Sequence, residues 1–209
     1  MEVIVVQLLI LVIAIGIHEF AHAYIADMSG DPTPRMMGRV TLNPLAHLDP
    51  MGTIFMAITV ISGYGIGWGK PVMVRPDKMR NPRWDHLAVA IAGPISNVLQ
   101  AVIFALVLRT MTAGGVQLPD IVETFLFLGV VINVSLAVFN MIPLGPLDGH
   151  WILGAFLPEP LRTQWFQFNR GVGSLVFLAL VLLPTGSGSI LGLVINPIRL
   201  WLSSYLLGL

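Results

Sequence analysis

Long apolar runs separated by short polar connections dominate the chain, and their lengths predict membrane-embedded helices. A helix needs about 20 apolar residues to cross the hydrocarbon core of a bilayer. Residues 3–25 meet that length and stay almost wholly aliphatic until His18. The run 51–66 is shorter and is loosened by Gly63 and Gly65, residues 87–108 carry no charge, and 121–142 follows. After Asp148 come a short apolar stretch, 151–157, and a Pro-, Glu- and Arg-containing connector that reaches Arg170. Two last runs, 172–183 and 190–207, are separated by the flexible sequence 184–189. The pattern predicts an all-α polytopic membrane protein with about five or six embedded helices. It forms one domain over 1–209, with a core in 1–155 and C-terminal helices in 172–207.

Composition agrees with this pattern. Apolar residues make up 56% of the 209 and charged ones 11%, against roughly 25% charged in a soluble domain. A soluble fold would leave much of that apolar surface in water and is excluded. Eleven basic and eleven acidic residues cancel without forming a basic stripe, so nucleic-acid binding has no support. The absence of cysteine removes disulfide scaffolds, thiolate metal sites and cysteine nucleophiles. Ala21-His22-Ala23 has the shape of a signal-peptide cleavage site, but Glu2 stands where a basic n-region belongs, so the first run reads as a retained helix.

Basic residues set the orientation, because Lys and Arg beside spans stay cytoplasmic. Residues 68–86 hold Lys70, Arg75, Lys78, Arg80 and Arg83, and the connector after the fourth run adds Arg162 and Arg170. Arg35 and Arg39 place the loop after the first helix on the same side. The run 51–66 then starts and ends on one side: either it is re-entrant, with a small β or irregular element after the first helix, or one of these loop assignments is wrong and it spans.

Within the first helix stands His18-Glu19-Phe20-Ala21-His22, an H-E-x-x-H pattern. Histidines four apart on a helix are rotated by about 40° and offset by about 6 Å. Both imidazoles can reach one Zn²⁺, and Glu19 on the adjoining face can reach a metal-held water as general base. The competing reading is three polar residues at the membrane interface, satisfied by headgroups and water, with Asp27 and Asp31 marking how near the interface is. Buried polar side chains in a membrane helix favour the metal. A catalytic zinc needs a third protein ligand and an open position. The metzincin extension fails, with Ile25 at its glycine position and Met28 at its last histidine. Asp27, Asp31, His47, Asp49, His86, Asp148 and His150 are the candidates. Asp148 stands out because it follows an apolar run through a turn with two prolines and a glycine, backbone tolerated at membrane depth only when buried in protein or lining a wet cavity. An aspartate there is either a metal ligand or the cap of the helix starting near Trp151.

These residues resemble the site-2 protease family (peptidase M50) of intramembrane zinc metalloproteases, in its compact bacterial form without PDZ or CBS modules. His18 to His22 matches the family's first motif, and Asn140, Pro143, Asp148 and Gly149 match its N-x-x-P-x-x-x-x-D-G pattern. Ala92-Gly93-Pro94-Ile95-Ser96-Asn97 matches an A-G-P-x-x-N stretch, while residues 43–53 and 67–72 look like the compact members. The resemblance implies one zinc per chain held by His18, His22 and Asp148, with Glu19 as catalytic base. It further implies Asn140 on substrate or oxyanion, and more weakly a site role for Asn97 beside an equal helix-packing one. His150 stands where many members have a small residue and reads as supporting the site or lying at the interface. The implied activity is cleavage of peptide bonds within or near transmembrane helices of membrane substrates, in a prokaryotic plasma membrane with the zinc toward the cytoplasm. The irregular segment 31–49 is expected to offer a strand edge to unwound substrate.

An ion or metal transporter is the alternative, since intramembrane His, Glu and Asp also mark conduction paths. Such proteins carry polar residues in several helices, often with repeat symmetry, whereas here they gather at the ends of two. An inactive membrane scaffold is a third reading, against which Glu19 stands. Trp68, Trp84, Trp151, Trp165 and Trp201 read as interfacial anchors, and Arg199 as snorkelling to a headgroup. Nothing in the sequence sets an oligomeric state.

Overall fold

The computed structural model describes residues 1–62, 67–185 and 188–209. Gly63 and Gly65, read above as loosening the second run, lie outside the described residues, as do positions 186 and 187 of the flexible linker.

Nine helices carry these residues: α1 (Glu2–Met28), α2 (Thr33–Met36), α3 (Pro50–Ser62), α4 (Pro82–Ala113), α5 (Asp120–Asn140), α6 (Asp148–Phe156), α7 (Leu161–Arg170), α8 (Val172–Leu182) and α9 (Ile190–Leu207). A two-residue pairing, β1 (Pro184–Thr185) with β2 (Gly188–Ser189), joins α8 to α9. Helices α1, α4, α5 and α9 are long and apolar enough to cross a membrane, and the bent pair α7–α8 is a fifth candidate. At 32 residues α4 is about 48 Å long. It overshoots the hydrocarbon, and its first turns, with Pro82 near its start, carry Arg83, Trp84 and Asp85.

Three helices form the centre, with α4 antiparallel to both α1 and α5. Small residues let them approach: Ala14, Ala23 and Ala26 on α1, Gly93, Ala101 and Ala105 on α4, and Gly129 and Ala137 on α5. In a bilayer the gain comes from close van der Waals contact, so small side chains at interfaces serve where large ones serve in water. Their large aliphatic neighbours, such as Leu9, Leu99 and Ile103, face outward. Helix α9 packs Leu202, Leu206 and Leu207 on the cluster of Ala101, Ala105, Val130 and Val134.

The segments after α5 differ from a simple row of spans. Leu191, at the start of α9, packs with Leu147 and Phe177 near the end of α5, while Leu206 at its other end takes Arg109 of α4 through its carbonyl. So α9 begins at the end where Asp148 lies and finishes at the opposite one. Helix α8 also starts there, because Asn169 just before it accepts the Gly145 N–H at 2.7 Å. Eleven residues cover only about 16 Å, and α8 enters and leaves on one side. The connector 158–170 contains the amphipathic helix α7, whose Trp165 donates to the His150 carbonyl at 2.8 Å.

The run after the first helix is also re-entrant. Trp68 returns to the start of α3, where it packs on Gly52 and stacks on Phe55, and Leu48 bridges Gly69. A Cβ on Gly52 would fall 2.1 Å from the Trp68 carbonyl oxygen, so only glycine permits this return. Residues 31–49 form α2 and a 3₁₀ turn over Pro44–His47, and no strand is present there among the described residues. The expected strand edge in 31–49 is therefore replaced by helical turns; the wall beside the site comes from 67–76.

Asp31 ties the two loops together. It is fully buried, accepting the Thr33 N–H at 3.0 Å and the Arg75 N–H at 2.6 Å. Burial alone would raise its pKa, but these donors and the nearby Lys78 charge outweigh it and hold the carboxyl below its usual range. A depressed folded pKa means that the contribution to stability is complete above the unfolded value, about 4, and is lost as pH falls below it. Thermal unfolding should show a fall in Tm below about pH 4 that is shallower in Asp31→Asn.

Candidate metal centre

His18 and His22 project from one face of α1 into the three-helix centre and both are buried. Each ring is fixed through Nδ1. His18 Nδ1–H donates to Asn97 Oδ1 at 2.6 Å and His22 Nδ1–H to the Val89 carbonyl at 2.7 Å, both acceptors on α4. The two Nε2 lone pairs therefore point inward, 3.0 Å apart. Asp148 completes the triangle, its Oδ2 3.2 Å from His18 Nε2 and its Oδ1 3.3 Å from His22 Nε2.

Lone pairs and a carboxylate this close repel one another unless a proton or a metal cation lies between them. Ligand atoms about 2.0–2.1 Å from a tetrahedral zinc are about 3.3 Å apart, close to the 3.0–3.3 Å found. The three residues are a group able to hold one metal ion. Orienting acceptors on the far ring nitrogens are the usual support of metal-bound histidine. Gly93 supplies the room: a Cβ there would lie 2.4 Å from His22 Nε2 and 2.6 Å from His18 Nε2.

Asp148 opens α6, yet it is not the cap. Leu147 occupies the N-cap and no side chain caps the helix, so the capping reading fails. The aspartate is aimed by its surroundings instead. A Cβ on Gly149 would sit 2.3 Å from the Met141 and Ile142 carbonyls, so the start of α6 lies directly on the end of α5. Arg83 of α4 holds the far end of α6 by donating to the Ala155 and Leu157 carbonyls at 2.7 and 3.2 Å.

Glu19 lies beside the triangle in a cavity of about 690 Å³. Its Oε2 accepts the Val72 N–H at 3.2 Å and lies 4.0 Å from Arg39 Nη2. Arg39, 3% exposed, also donates to the Lys70 and Pro71 carbonyls. Burial lowers the Arg39 pKa while Glu19 counters it, but a guanidinium stays charged. Arg39 and Glu19 thus grip the same stretch of wall.

Asn140 lines the cavity, its amide N–H bonded back to the Leu136 carbonyl at 3.0 Å. His86 and Trp151 line it too, ring against ring at 4.6 Å. Trp151 is thus packed beside the site and Trp165 bonds to the His150 carbonyl, while Trp84 and Trp201 stay exposed as anchors would. His150 is buried against Trp151 and donates to the Leu147 carbonyl; burial pushes its pKa down, and it lies outside the triangle.

The other candidate ligands are engaged elsewhere. Asp27 pairs with Arg35, Asp31 holds the loops, and Asp49 accepts the Gly52 N–H at 2.8 Å. His47 is fully buried and donates to the Thr41 carbonyl at 2.8 Å, with burial lowering its pKa. Sequence reading missed Arg39 and Asn133. An amide in the middle of the apolar run 121–142, one of two there with Asn140, is the available signal for the second.

Comparison with known proteins places the chain in a family. The family model of Peptidase family M50 matches residues 6–118 and 111–184. "Putative zinc metalloprotease YwhC" of Bacillus subtilis (strain 168) is 38% identical over 181 residues, 85% of this chain and 80% of that protein. "Putative zinc metalloprotease Rip2" of Mycolicibacterium smegmatis is 31% identical over 176 residues, 80% of this chain and 63% of that protein. Its namesake in Mycobacterium tuberculosis (strain ATCC 25618 / H37Rv) is 30% identical over 189 residues, 87% and 68% respectively. No solved structure matches the chain. With most of its length matched by that family model, and its apolar helices closed around three residues able to hold a metal ion, the chain belongs to peptidase family M50 and is an integral membrane protease.

Proposed function

We propose that the chain is a zinc metalloendopeptidase that hydrolyses peptide bonds within or beside transmembrane helices of other membrane proteins. His18, His22 and Asp148 hold the zinc, and Glu19 is the general base. The observation that carries this is the triangle of ligand atoms at 3.0–3.3 Å with Glu19 beside it in one cavity. When bound, zinc polarises the scissile carbonyl and acidifies a water. Glu19 takes the proton of the attacking water and passes it to the leaving amine nitrogen as the C–N bond breaks. The amide N–H of Val72 holds one carboxylate oxygen, leaving the other to face the cavity. Asn140, on the cavity wall, is placed to bind substrate or the oxyanion.

A transmembrane substrate hides its carbonyls in its own helix, so a stretch must unwind before hydrolysis. The cavity offers polar groups where such a stretch is satisfied. Orientation follows from charge. Arg35, Arg39, Arg162, Arg170 and the five basic residues of 68–86 lie at the end of the molecule where α1 leads into α2, and Arg109 near the other. Under the positive-inside tendency that end is cytoplasmic, in the plasma membrane of a prokaryote. A transporter is not favoured, because the titratable groups converge on one closed triangle.

Cleavage of a model transmembrane helix in proteoliposomes tests the reading. Chelation should lower the rate at least about 100-fold, and added Zn²⁺ should restore it. Cleavage indifferent to chelation, or Zn²⁺ flux without cleavage, would overturn it.

A further inference from the structure

Three buried amide and imidazole groups form one line from the middle of α5 to the metal triangle. Asn133, fully buried, donates through Nδ2 to the Gly129 carbonyl at 2.9 Å. Its Oδ1 accepts from Asn97 Nδ2 at 3.0 Å, and Asn97 Oδ1 accepts from His18 Nδ1 at 2.6 Å. Asn97 is also fully buried.

The line has a direction, and a backbone atom sets it. A carbonyl oxygen only accepts, so the Asn133 side facing Gly129 must be the NH₂. Its oxygen then faces Asn97, which must answer with its own NH₂. Asn97 consequently presents oxygen to His18, whose Nδ1 must carry the proton. That leaves the Nε2 lone pair for a cation. Asn97 has one other contact, to the Ala14 carbonyl at 3.4 Å. At 3.4 Å it is longer than the 3.0 Å bond to Asn133, so it is the weaker of the two anchors.

From this geometry we infer that Asn133 is a positioning residue for the metal site: it fixes the orientation of the Asn97 amide and thereby the tautomer of His18. The inference rests on the metal reading above. Without Asn133 the Asn97 amide can turn over and present NH₂ to His18. The ring would then put its proton on Nε2, which cannot bind a cation. The Asn97 position in the A-G-P-x-x-N stretch gains a role through this line, as the link between α5 and α1 rather than a packing residue.

The test uses the purified full chain with Zn²⁺ as probe. In Asn133→Leu, Zn²⁺ affinity measured against a competing chelator should fall about 10–100-fold, as for other losses of support behind a metal-bound histidine. Asn133→Thr should recover part of it, since a hydroxyl can donate to the Gly129 carbonyl and accept from Asn97. Thermal unfolding of the metal-free protein serves as the control, and its Tm should move little in Asn133→Thr. A second measurement needs no variant. ¹⁵N spectra of the histidine-labelled, metal-free wild type should show His18 protonated at Nδ1. A His18 protonated at Nε2, or an Asn133→Leu protein that binds Zn²⁺ as tightly as wild type, would overturn the inference. Wild type that binds no Zn²⁺, or binds it equally well after Asp148→Ala, would instead overturn the metal reading.

Discussion

Glu19→Gln is expected to keep its fold and one zinc per chain while cleaving a membrane-helix substrate about 10²–10⁴-fold more slowly, the range for losing a general base. The carboxylate is not one of the three clustered ligand atoms, so an isosteric amide leaves the triangle intact. The amide oxygen can still accept from Val72, and the wall segment should stay in place. What disappears is a group able to take a proton from water. Substrate binding is largely spared, so the loss should fall on kcat, with KM within a few-fold of wild type. Zinc content and cleavage of a helical substrate in detergent and in liposomes give both numbers. Near wild-type turnover would remove Glu19 from the base role.

Gly93→Ala should be at least as damaging through a different route. The new methyl would sit 2.4 Å from His22 Nε2 and 2.6 Å from His18 Nε2 and Cε1. Neither ring can retreat easily, because Asn97 holds one and the Val89 carbonyl the other. Either α4 moves away from α1, opening the packed centre, or the rings rotate and the triangle is lost. Zn²⁺ affinity should drop by more than about 100-fold, beyond the loss from removing one supporting partner. Competition with a chelator measures it. Ala92→Gly, one residue away, is the control and should bind Zn²⁺ as wild type does.

Much of this site could be read from the chain because its first motif is local. Two histidines and a glutamate within one helical turn carry their relative geometry with them. The partnership with Asp148 came from resemblance rather than spacing, since residue separations do not state which helices meet. The stretch 92–97 was visible as a pattern, but its purpose was not. Gly93 and Asn97 matter through atoms of α1 that only packing brings near. Arg39 looked like one more loop cation until burial placed it against Glu19. Helix α7 reads as a connector in the sequence because Pro158, Pro160 and its charges mask a helical repeat of Leu161, Trp165 and Phe168. The run 172–183 was recognised as apolar, but at about 16 Å it is too short to cross. Its return to the same end depended on where α9 begins.

Two elements, α3 with its return to Trp68 and α8 with the β1–β2 pairing that follows it, enter from the Asp148 end without emerging opposite. Such a molecule fills more cross-section in one leaflet than in the other. The expected consequence is that surrounding lipid splays or thins on the narrower side to seal against it. Vesicles of graded diameter should therefore not be equivalent hosts, and the chain should partition between the convex and concave faces of a bent bilayer according to which way it was inserted.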